Sequence, residues 1–439
     1  MHHNSPSIAG PSEPKLLSVA RIIRAPRATY QRWFATYGDP CLIRSYNGDI
    51  VVTAHPDLVR QVFAAPRDSY APFGAEAVMP ILGSSTIFAL QGPAHLRERK
   101  LIMPPLHGSR MRHYGATIVD ATRKAMRHVR PGDPWVVQEA AMAISLEVII
   151  RAIFGVREPT RVKRFQEAIE QTVARAHPLL FFVRATQMHL WGWSPWDRFL
   201  RSRDRLDALI YEEIDRRSGQ EGDDILSVLM QARYEDGAPP TPEHLRAQLM
   251  TLLIAGHETT ALSLARAMEL LHRHPLVLER LREQLAALDL DDPDTVARDP
   301  WLKAICQETL RLHPVLPDML RTLKVPMTLG SVTIPAGYVV AAVATATHRD
   351  PSLYPDPDQF RPERFLERTY RPWEFYPFGG GHRRCPGAAF AMMEMALVLA
   401  TLVHTWRFEL REPVPVRSVR RNITMGPATG VRMRILEAR

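Results

Sequence analysis

One stretch, residues 378–387, restricts the fold of this chain more than any other. It places three glycines shortly before Cys385 and a Pro-Gly pair directly after it. Glycine allows a backbone to take positive φ and to approach a flat ligand closely, and proline fixes the turn beyond it. An apolar stretch of helical length, AAFAMMEMALVLATLVHTW, follows Gly387. The pattern therefore predicts a cysteine on a tight loop just before the N-terminus of a helix.

The surroundings of Cys385 indicate what such a loop can do. Backbone N–H groups at the helix start and the adjacent arginines are expected to stabilise the thiolate over the thiol. A single thiolate held in a rigid loop is the axial ligand that a haem iron needs, and it pushes electron density toward bound O₂. The alternative is a buried structural cysteine in a glycine-rich turn.

Five positions of this stretch carry a family resemblance. They match the haem-binding signature F-x-x-G-x-R-x-C-x-G at Phe378, Gly381, Arg383, Cys385 and Gly387. The chain therefore resembles the cytochromes P450, over residues 27–436. The resemblance implies a mainly α-helical fold with small β-sheets and a long central helix over a haem. We expect a disordered lead over residues 1–15 and a single domain over residues 16–439, although length alone would suggest two or three domains.

Composition and charge exclude other classes of protein. The net charge of +9 comes from 56 basic and 47 acidic residues that are interleaved, which is not the pattern of a nucleic-acid binder. Three cysteines, an odd and sparse set, argue against a disulfide framework and for a reducing compartment. No stretch is expected to reach the roughly 18 apolar residues that span a membrane, and the N-terminus lacks a signal core. We expect a soluble, cytoplasmic monomer.

Local patterns predict the main elements. Residues 27–37 are typical of a short helix, and Asn47-Gly48 between CLIRSY and DIVVTA is the strongest short hairpin signal. Residues 66–91, rich in Pro, Gly and Ser, predict a long loop whose many apolar side chains, Phe88 among them, face a cavity. The segments FEL and VRMRIL near the C-terminus predict a final short sheet.

A long helical pattern over residues 242–274 carries the sequence AGHETT at residues 255–260. A glycine, an acid and two threonines violate helix propensity, and such violations tend to mark function. The block matches the family pattern A-G-x-[D/E]-T-[T/S]. The resemblance implies that Ala255 and Gly256 lie beside the haem, where a local gap in the helical hydrogen bonds leaves room for O₂.

The same resemblance assigns proton delivery to Thr259 and Glu258. A hydroxyl both donates and accepts, so it can hold a ligand and a water together. The alternative is structural: Thr259 bonds back to the carbonyl four residues earlier, and Glu258 lies on a solvated face.

Two further motifs accompany the resemblance. Glu308 and Arg311 form an E-x-x-R pattern whose spacing places both side chains on one helical face. Arg364 lies in a P-E-R-F segment. In relatives these three residues form a buried ion network that supports the haem-binding loop, which is a structural rather than a catalytic role.

His95 and Arg99 match the family's H-x-x-x-R helix and share one face. Buried haem propionates need cationic donors, and Arg383 and Arg321 complete a plausible clamp. The alternative for Arg99 is an exposed ion pair with Glu98 or Glu139. The resemblance thus assigns haem binding to Cys385, His95, Arg99, Arg321, Arg383, Phe378, Gly379, Gly387, Ala255 and Gly256.

The substrate pocket is expected to be lined mainly by apolar residues from four segments. Its predicted members are Ile254, Val315, Leu316, Asp318, Met319, Met425 and Phe88. The aromatic connection at residues 177–197, which includes Trp191, Trp193 and Trp196, resembles the family's access lid by position. It could equally be a patch that contacts membranes or partners, or simple packing.

The resemblance implies a haem b enzyme that inserts one oxygen atom from O₂ into a lipophilic small molecule, such as a terpenoid, fatty acid or polyketide of secondary metabolism. The haem carries the hard chemistry and the protein supplies ligation and positioning. Electrons from NAD(P)H would arrive through a ferredoxin or flavodoxin and its reductase. The alternatives are a haem-thiolate enzyme that uses peroxide or needs no O₂, and a haem-based sensor.

Overall fold

Helices make up most of this fold. The computed structural model describes residues 8–46, 48–176, 180 and 186–438. The helices are α1 (Lys15–Arg24), α2 (Pro26–Tyr37), α3 (Pro56–Ala64), α4 (Ala75–Leu82), α5 (Gly92–Ile102), α6 (Met111–Ala125), α7 (Val137–Ala152), α8 (Pro159–Arg175), α9 (Pro195–Arg217), α10 (Ile225–Gln231), α11 (Pro242–Arg273), α12 (Pro275–Ala286), α13 (Pro293–Arg298), α14 (Pro300–Leu312), α15 (Ala344–Thr347), α16 (Arg364–Glu367) and α17 (Ala388–Thr405).

The helix α11 is the long helix that the sequence predicts. Thr241 caps its N-terminus by accepting a hydrogen bond from the N–H of His244, and Pro242 occupies the first helical position. The chain leaves the helix at His274, directly before Pro275. Most of α11 is buried against α7 and α17, so it forms the axis of the main hydrophobic core.

The strands form small sheets at the periphery. They are β1 (Cys41–Ile43), β2 (Ile50–Thr53), β3 (Tyr70–Ala71), β4 (Pro134–Val136), β5 (Met319–Leu323), β6 (Met327–Leu329), β7 (Val332–Ile334), β8 (Val339–Ala342), β9 (Trp406–Leu410), β10 (Ser418–Arg421), β11 (Thr424–Pro427) and β12 (Arg432–Ala438). The largest sheet has the order β1-β2-β8-β5-β3, in which only the β2–β8 pair is parallel.

Several local predictions are confirmed. The predicted helix at residues 27–37 is α2, and β1 pairs with β2 as an antiparallel hairpin. The hairpin residue Asn47 itself lies outside the described residues. The predicted C-terminal sheet consists of β9 paired with β12. It also contains β4, a third strand that was not predicted.

The prediction of one long loop over residues 66–91 is wrong in part. The segment contains β3 and the helix α4. The run Ala-Glu-Ala-Val-Met favours a helix, and glycines with positive φ at Gly74 (+68°) and Gly83 (+89°) bound it. The many glycines and prolines around this run masked the helical signal.

Part of the predicted disordered lead lies against the fold. Within the described residues 8–14, the carbonyl of Ala9 accepts a hydrogen bond from the N–H of Leu42 at 3.0 Å. Gly10 packs so closely that a Cβ there would lie 1.8 Å from the Leu42 carbonyl oxygen. Ala9 and Gly10 therefore lie against β1, while residues 1–7 lie outside the described part.

One described helix, α17, is long and apolar enough by composition to span a membrane, with a mean hydropathy of 1.6. The expectation that no stretch comes near this limit is therefore wrong. However, 72% of the α17 window is buried inside the fold, and the core helix of a soluble protein meets the same criterion. The helix packs against α6, α11 and α14.

Candidate active site

The cysteine loop has the predicted form. The N–H of Cys385 donates to the carbonyl of Phe378 at 2.9 Å and closes the loop, which contains a 3₁₀ turn at Gly381–Arg383. The helix α17 begins at Ala388, three residues after the cysteine. The Cys385 side chain is exposed, unlike those of Cys41 and Cys306, so its sulfur is available to a ligand.

The glycines of this loop serve a purpose that the sequence analysis did not foresee. Gly379 and Gly381 take positive φ, +69° and +62°. A Cβ on Gly380 would lie 2.2 Å from the ring of Phe63, and one on Gly381 would lie 2.3 Å from the Phe63 carbonyl oxygen. Two of the three glycines are therefore required because the loop packs onto α3.

The predicted lowering of the Cys385 pKa is not the net result. Although the thiol is accessible at its surface, the protein atoms packed around it partly desolvate it and raise its pKa, while the N–H of Gly387 and the charges of Arg99 and Arg384 act in the opposite direction. The N–H and the arginines thus favour the thiolate as expected, but desolvation outweighs them in the protein alone.

The four predicted clamp residues lie together and form one cationic cluster. They are His95, Arg99, Arg321 and Arg383. Burial, together with the charges of Arg383 and Arg99, lowers the pKa of His95 to about 3. Burial also lowers the pKa of Arg321. Arg99 makes none of its alternative ion pairs, because Glu98 accepts hydrogen bonds from Tyr234 and Gln248 instead.

Two further members of this cluster, Arg67 and His382, were missed. Burial is the main cause that lowers the pKa of His382 to about 4, and the charges of Arg321, Arg383 and Arg67 contribute to the same shift. The His382 ring stacks on Tyr70 with centroids 6.0 Å apart and meets the ring of His95 at 6.2 Å. The signal for His382 was its place inside the signature, whereas nothing near Arg67 in sequence indicated it.

The cluster has the chemistry of a site for carboxylates. Among the described residues, Arg67, Arg99, Arg321 and Arg383 form no salt bridge with an acidic side chain. Partly buried cations without counter-ions are costly, unless a ligand brings negative charge. The two propionates of a haem fit this set of donors, and the adjacent cysteine fits its iron.

Arg383 has a second task. Its guanidinium donates to the carbonyl of Ile87 at 2.7 Å and to that of Leu90 at 2.5 Å. It therefore ties the cysteine loop to the segment that carries Phe88, in addition to its charge in the cluster. The Phe88 side chain is 45% exposed.

The AGHETT block lies within α11, which runs through it without interruption. The Thr259 hydroxyl donates to the carbonyl of Ala255 at 2.7 Å. This contact is the back-bond that the structural alternative for Thr259 describes. A Cβ on Gly256 would lie 3.4 Å from Ile149 of α7.

Glu258 does not lie on a solvated face. It is half-buried, and burial raises the pKa of its carboxyl group, against the opposing charge of Arg421 and a hydrogen bond with Thr424. Its neighbour His257 faces the other way and bonds to the backbone of Met142 on α7. Glu258 therefore points toward the β10–β11 hairpin.

Glu308, Arg311 and Arg364 form the expected ion network, fully buried. Arg311 binds the carboxylate of Glu308 through two nitrogens, at 2.6 and 2.8 Å, and Arg364 Nε binds it at 3.0 Å. Arg311 also donates to the carbonyl of His348, whose Nε2 accepts the N–H of Tyr376 at 3.0 Å. The network thus supports the chain that leads into the cysteine loop.

The predicted pocket residues divide into groups. The N–H of Met425 donates to the carbonyl of Val315 at 2.8 Å, so these two segments meet. Leu316 and Met319 pack in a cluster with Tyr376, and Ile254 packs against the main core.

Asp318 is bound to α2. It accepts a 2.7 Å hydrogen bond from the hydroxyl of Tyr30 on α2. Burial raises the pKa of Asp318, against this bond and the charge of Arg420.

The aromatic connection at residues 177–197 is described only at residue 180 and from residue 186 onward. Trp196 is buried with Leu180 and Phe199. Trp191 and Trp193, in contrast, are 96% and 84% exposed. Their exposure favours a contact patch over a lid formed by these two side chains.

Fold and site together define a haem-thiolate protein. The family model "Cytochrome P450" matches residues 15–430. Cytochrome P450 137 of Mycobacterium tuberculosis is 35% identical over 400 residues, covering 89% of this chain and 82% of that protein. Cytochrome P450 138 of Mycobacterium bovis is 32% identical over 435 residues, covering 98% of this chain and 95% of that protein.

Solved structures agree in fold. A cyanobacterial CYP120A1 with bound retinoic acid superposes with a TM-score of 0.85 at 23% identity, covering 99% of this chain and 100% of that one. The haem domain of cytochrome P450DA gives 0.87 at 22% identity, covering 98% and 97%. This chain belongs to the cytochrome P450 family, whose members are haem-thiolate monooxygenases and thus oxidoreductases.

Proposed function

We propose that the protein inserts one oxygen atom from O₂ into a lipophilic small molecule, with Cys385 as the thiolate ligand of a haem b iron. The observation that carries this proposal is the exposed Cys385 sulfur beside a cationic cluster that has no acidic partner among the described residues. A terpenoid, fatty acid or polyketide of secondary metabolism fits the mostly apolar predicted pocket.

The residues that would hold the haem are those of the cluster. Arg99 and Arg321 would bind the propionates through charge-assisted hydrogen bonds. Burial and the neighbouring arginines keep His95 neutral, so it would act as a hydrogen-bond donor rather than as a cation. Phe378, Gly379 and Gly387 would shape the loop around the sulfur, and Ala255 and Gly256 would lie on the opposite side.

The bound haem would supply the activation of O₂, and the protein must supply protons. Because burial raises the pKa of Glu258, its carboxyl group retains a proton more readily than an exposed glutamic acid does and can pass it on. The Thr259 hydroxyl donates to Ala255 at rest and must rotate to donate elsewhere. Arg421, close to Glu258, would connect this carboxyl to solvent.

Electrons would come from NAD(P)H through a ferredoxin or flavodoxin and its reductase. The net charge of +9 and the exposed Arg384 beside Cys385 support docking of an acidic partner on the cysteine side. The rate of the first electron transfer should fall as salt screens this attraction. We place the enzyme in the cytoplasm, as a single domain and a monomer.

The function is tested by comparing two turnover assays on one substrate, found in a screen that follows the haem spin state. The first assay supplies NAD(P)H, O₂ and a surrogate ferredoxin with its reductase, and the second supplies peroxide alone. We expect product in the first assay, with one atom of labelled O₂ incorporated. Equal turnover with peroxide alone, or product without O₂, would indicate the alternative haem-thiolate enzymes, and turnover in neither a sensor.

A further inference from the structure

The loop before α9 exposes a concentrated group of apolar side chains. Trp191 and Trp193 are 96% and 84% exposed, and the nearby Met188 and Leu190 are 58% and 46% exposed. Single exposed apolar residues are ordinary, but two almost fully exposed tryptophans within three positions are not. This group, which we call the tryptophan loop, includes residues 188–193.

The tryptophan loop is held in place by hydrogen bonds. The carboxylate of Asp197 accepts hydrogen bonds from the N–H groups of Leu190 at 2.8 Å and Gly192 at 3.0 Å. Its second oxygen lies 2.8 Å from Nδ1 of His189. Trp191 takes a left-handed φ of +46°, which a tryptophan rarely adopts. The fold thus maintains a strained conformation that keeps the indole rings in solvent.

Positive charge lies directly beside the tryptophan loop. Arg198, Arg201 and Arg205 are exposed, and their spacing of three and four residues places them on one face of α9. None of the three forms a salt bridge with an acidic side chain in the described part of the chain. Arg201 donates to the carbonyl of Gly192 at 2.5 Å, which fixes the arginine face to the loop.

We propose that the tryptophan loop and this arginine face attach the protein to the surface of an anionic lipid bilayer. Tryptophan rings, apolar in body and polar at the N–H, favour the level of the lipid headgroups. Arginines beside them attract anionic headgroups, and lasting attachment requires these two signals together.

The geometry favours a bilayer over a protein partner. Because Trp191 is 96% exposed, none of the described residues forms a wall around its ring. A protein partner would have to supply the whole pocket, whereas the lipid interface accepts a protruding ring without any preformed pocket. The attachment is peripheral, through side chains of one loop and one helix.

Attachment would also orient the molecule. Arg203 of α9 donates to the carbonyl of Pro80 on α4, so the lipid-facing helix directly contacts the segment that leads to Phe88. If the proposed function holds, a lipophilic substrate dissolved in the bilayer would meet this segment first. The attachment itself does not depend on that function.

The test is co-sedimentation of the full-length haem protein with vesicles of phosphatidylcholine, with and without phosphatidylglycerol. We expect binding to the anionic vesicles that weakens at high salt. Replacing both tryptophans, W191A/W193A, should weaken binding at least tenfold, and R198Q/R205Q should weaken it by about fivefold per arginine. Brominated lipid should quench the indole fluorescence of the unchanged protein, and this quenching should be lost in W191A/W193A.

The matched control is L276A/V414A, which removes apolar residues that are 88% and 66% exposed elsewhere on the surface. It should bind as the unchanged protein does. An unaltered ferrous–CO spectrum establishes that each variant is folded, and turnover in lipid-free buffer separates this proposal from the proposed function. Absence of vesicle binding by the unchanged protein, including the case in which an acidic protein binds the loop instead, overturns the proposal. So does a tryptophan variant that binds as well as the control.

Discussion

Two regions beside the site are built in different ways. The loop support, Glu308, Arg311 and Arg364, is a buried network in which each charge has several partners. The tethered segment, residues 75–90, is instead held by separate side chains that bind its backbone carbonyls. These contacts are Arg203 to Pro80, Arg246 to Ile81, Gln248 to Ser85, and Arg383 to Ile87 and Leu90.

The two regions are therefore expected to differ in rigidity. Loss of Glu308 would leave Arg311 and Arg364 both buried without a counter-charge, so the network depends on this one shared carboxylate. Each contact of the tethered segment can be lost alone at the cost of one hydrogen bond. The region under the cysteine is therefore expected to tolerate little change, and the tethered segment to adapt to different substrates.

The largest effect is expected in the loop support. Glu308→Gln keeps the shape of the side chain but leaves two buried arginines without a counter-charge, which should lower the free energy of unfolding by about 3–5 kcal/mol. Thermal unfolding and haem retention measure this loss. The control is Glu367→Gln, which removes an exposed ion pair with Arg361 and should cost less than about 1 kcal/mol. Equal melting temperatures for the two variants would show that the network is not cooperative.

The next effect concerns proton delivery. Thr259→Ala should retain the haem and bind substrate normally. The amount of product formed per NAD(P)H consumed should fall and peroxide release should rise, because general acid catalysis contributes about 10²–10⁴-fold to the rate. Thr401→Ala is the control, since Thr401 makes the same back-bond to a carbonyl but on α17. If Thr259→Ala keeps full coupling, the protons travel by another route, such as Thr260.

A smaller effect is expected for the propionate clamp. Arg99→Gln and Arg321→Gln each remove one charge-assisted hydrogen bond of about 1.5–3 kcal/mol, so haem should dissociate about 10- to 100-fold faster. Transfer of haem to an acceptor protein measures the rate. Arg97→Gln, on the same helix but paired with Asp236 at the surface, should leave it unchanged. Haem loss as slow in Arg99→Gln as in this control would remove Arg99 from the clamp.

The smallest effect is expected in the tethered segment. Thr86 and Thr251 share a buried hydrogen bond of 2.7 Å, and Thr86→Val removes it with little change of shape, at a cost of about 1 kcal/mol. Substrate affinity should shift a few-fold with an unchanged haem spectrum, whereas Thr122→Val, buried in α6, should affect stability alone. A change in the haem spectrum of Thr86→Val would mean that the two regions are coupled.

The same two regions differ in how far the sequence predicts them. The cysteine loop, α11 and the Glu308–Arg311 pair were predictable because each depends on residues close together in the chain. Arg67 and the contact of Gly380 with Phe63 were not, because they join segments far apart in sequence. The predicted direction of the pKa shift of Cys385 was also wrong, because desolvation of the thiol depends on the whole fold.

Cys385 is the residue on which the proposed chemistry depends most, because it would be the thiolate ligand of the iron. Cys385→Ser should still bind haem through the cationic cluster, because Arg99, Arg321 and the glycine turn are unchanged. The direct measurement is the ferrous–CO spectrum. We predict that the long-wavelength Soret band of a thiolate-ligated haem, present in the unchanged protein, is absent in Cys385→Ser. Persistence of that band in the serine variant would contradict the assignment.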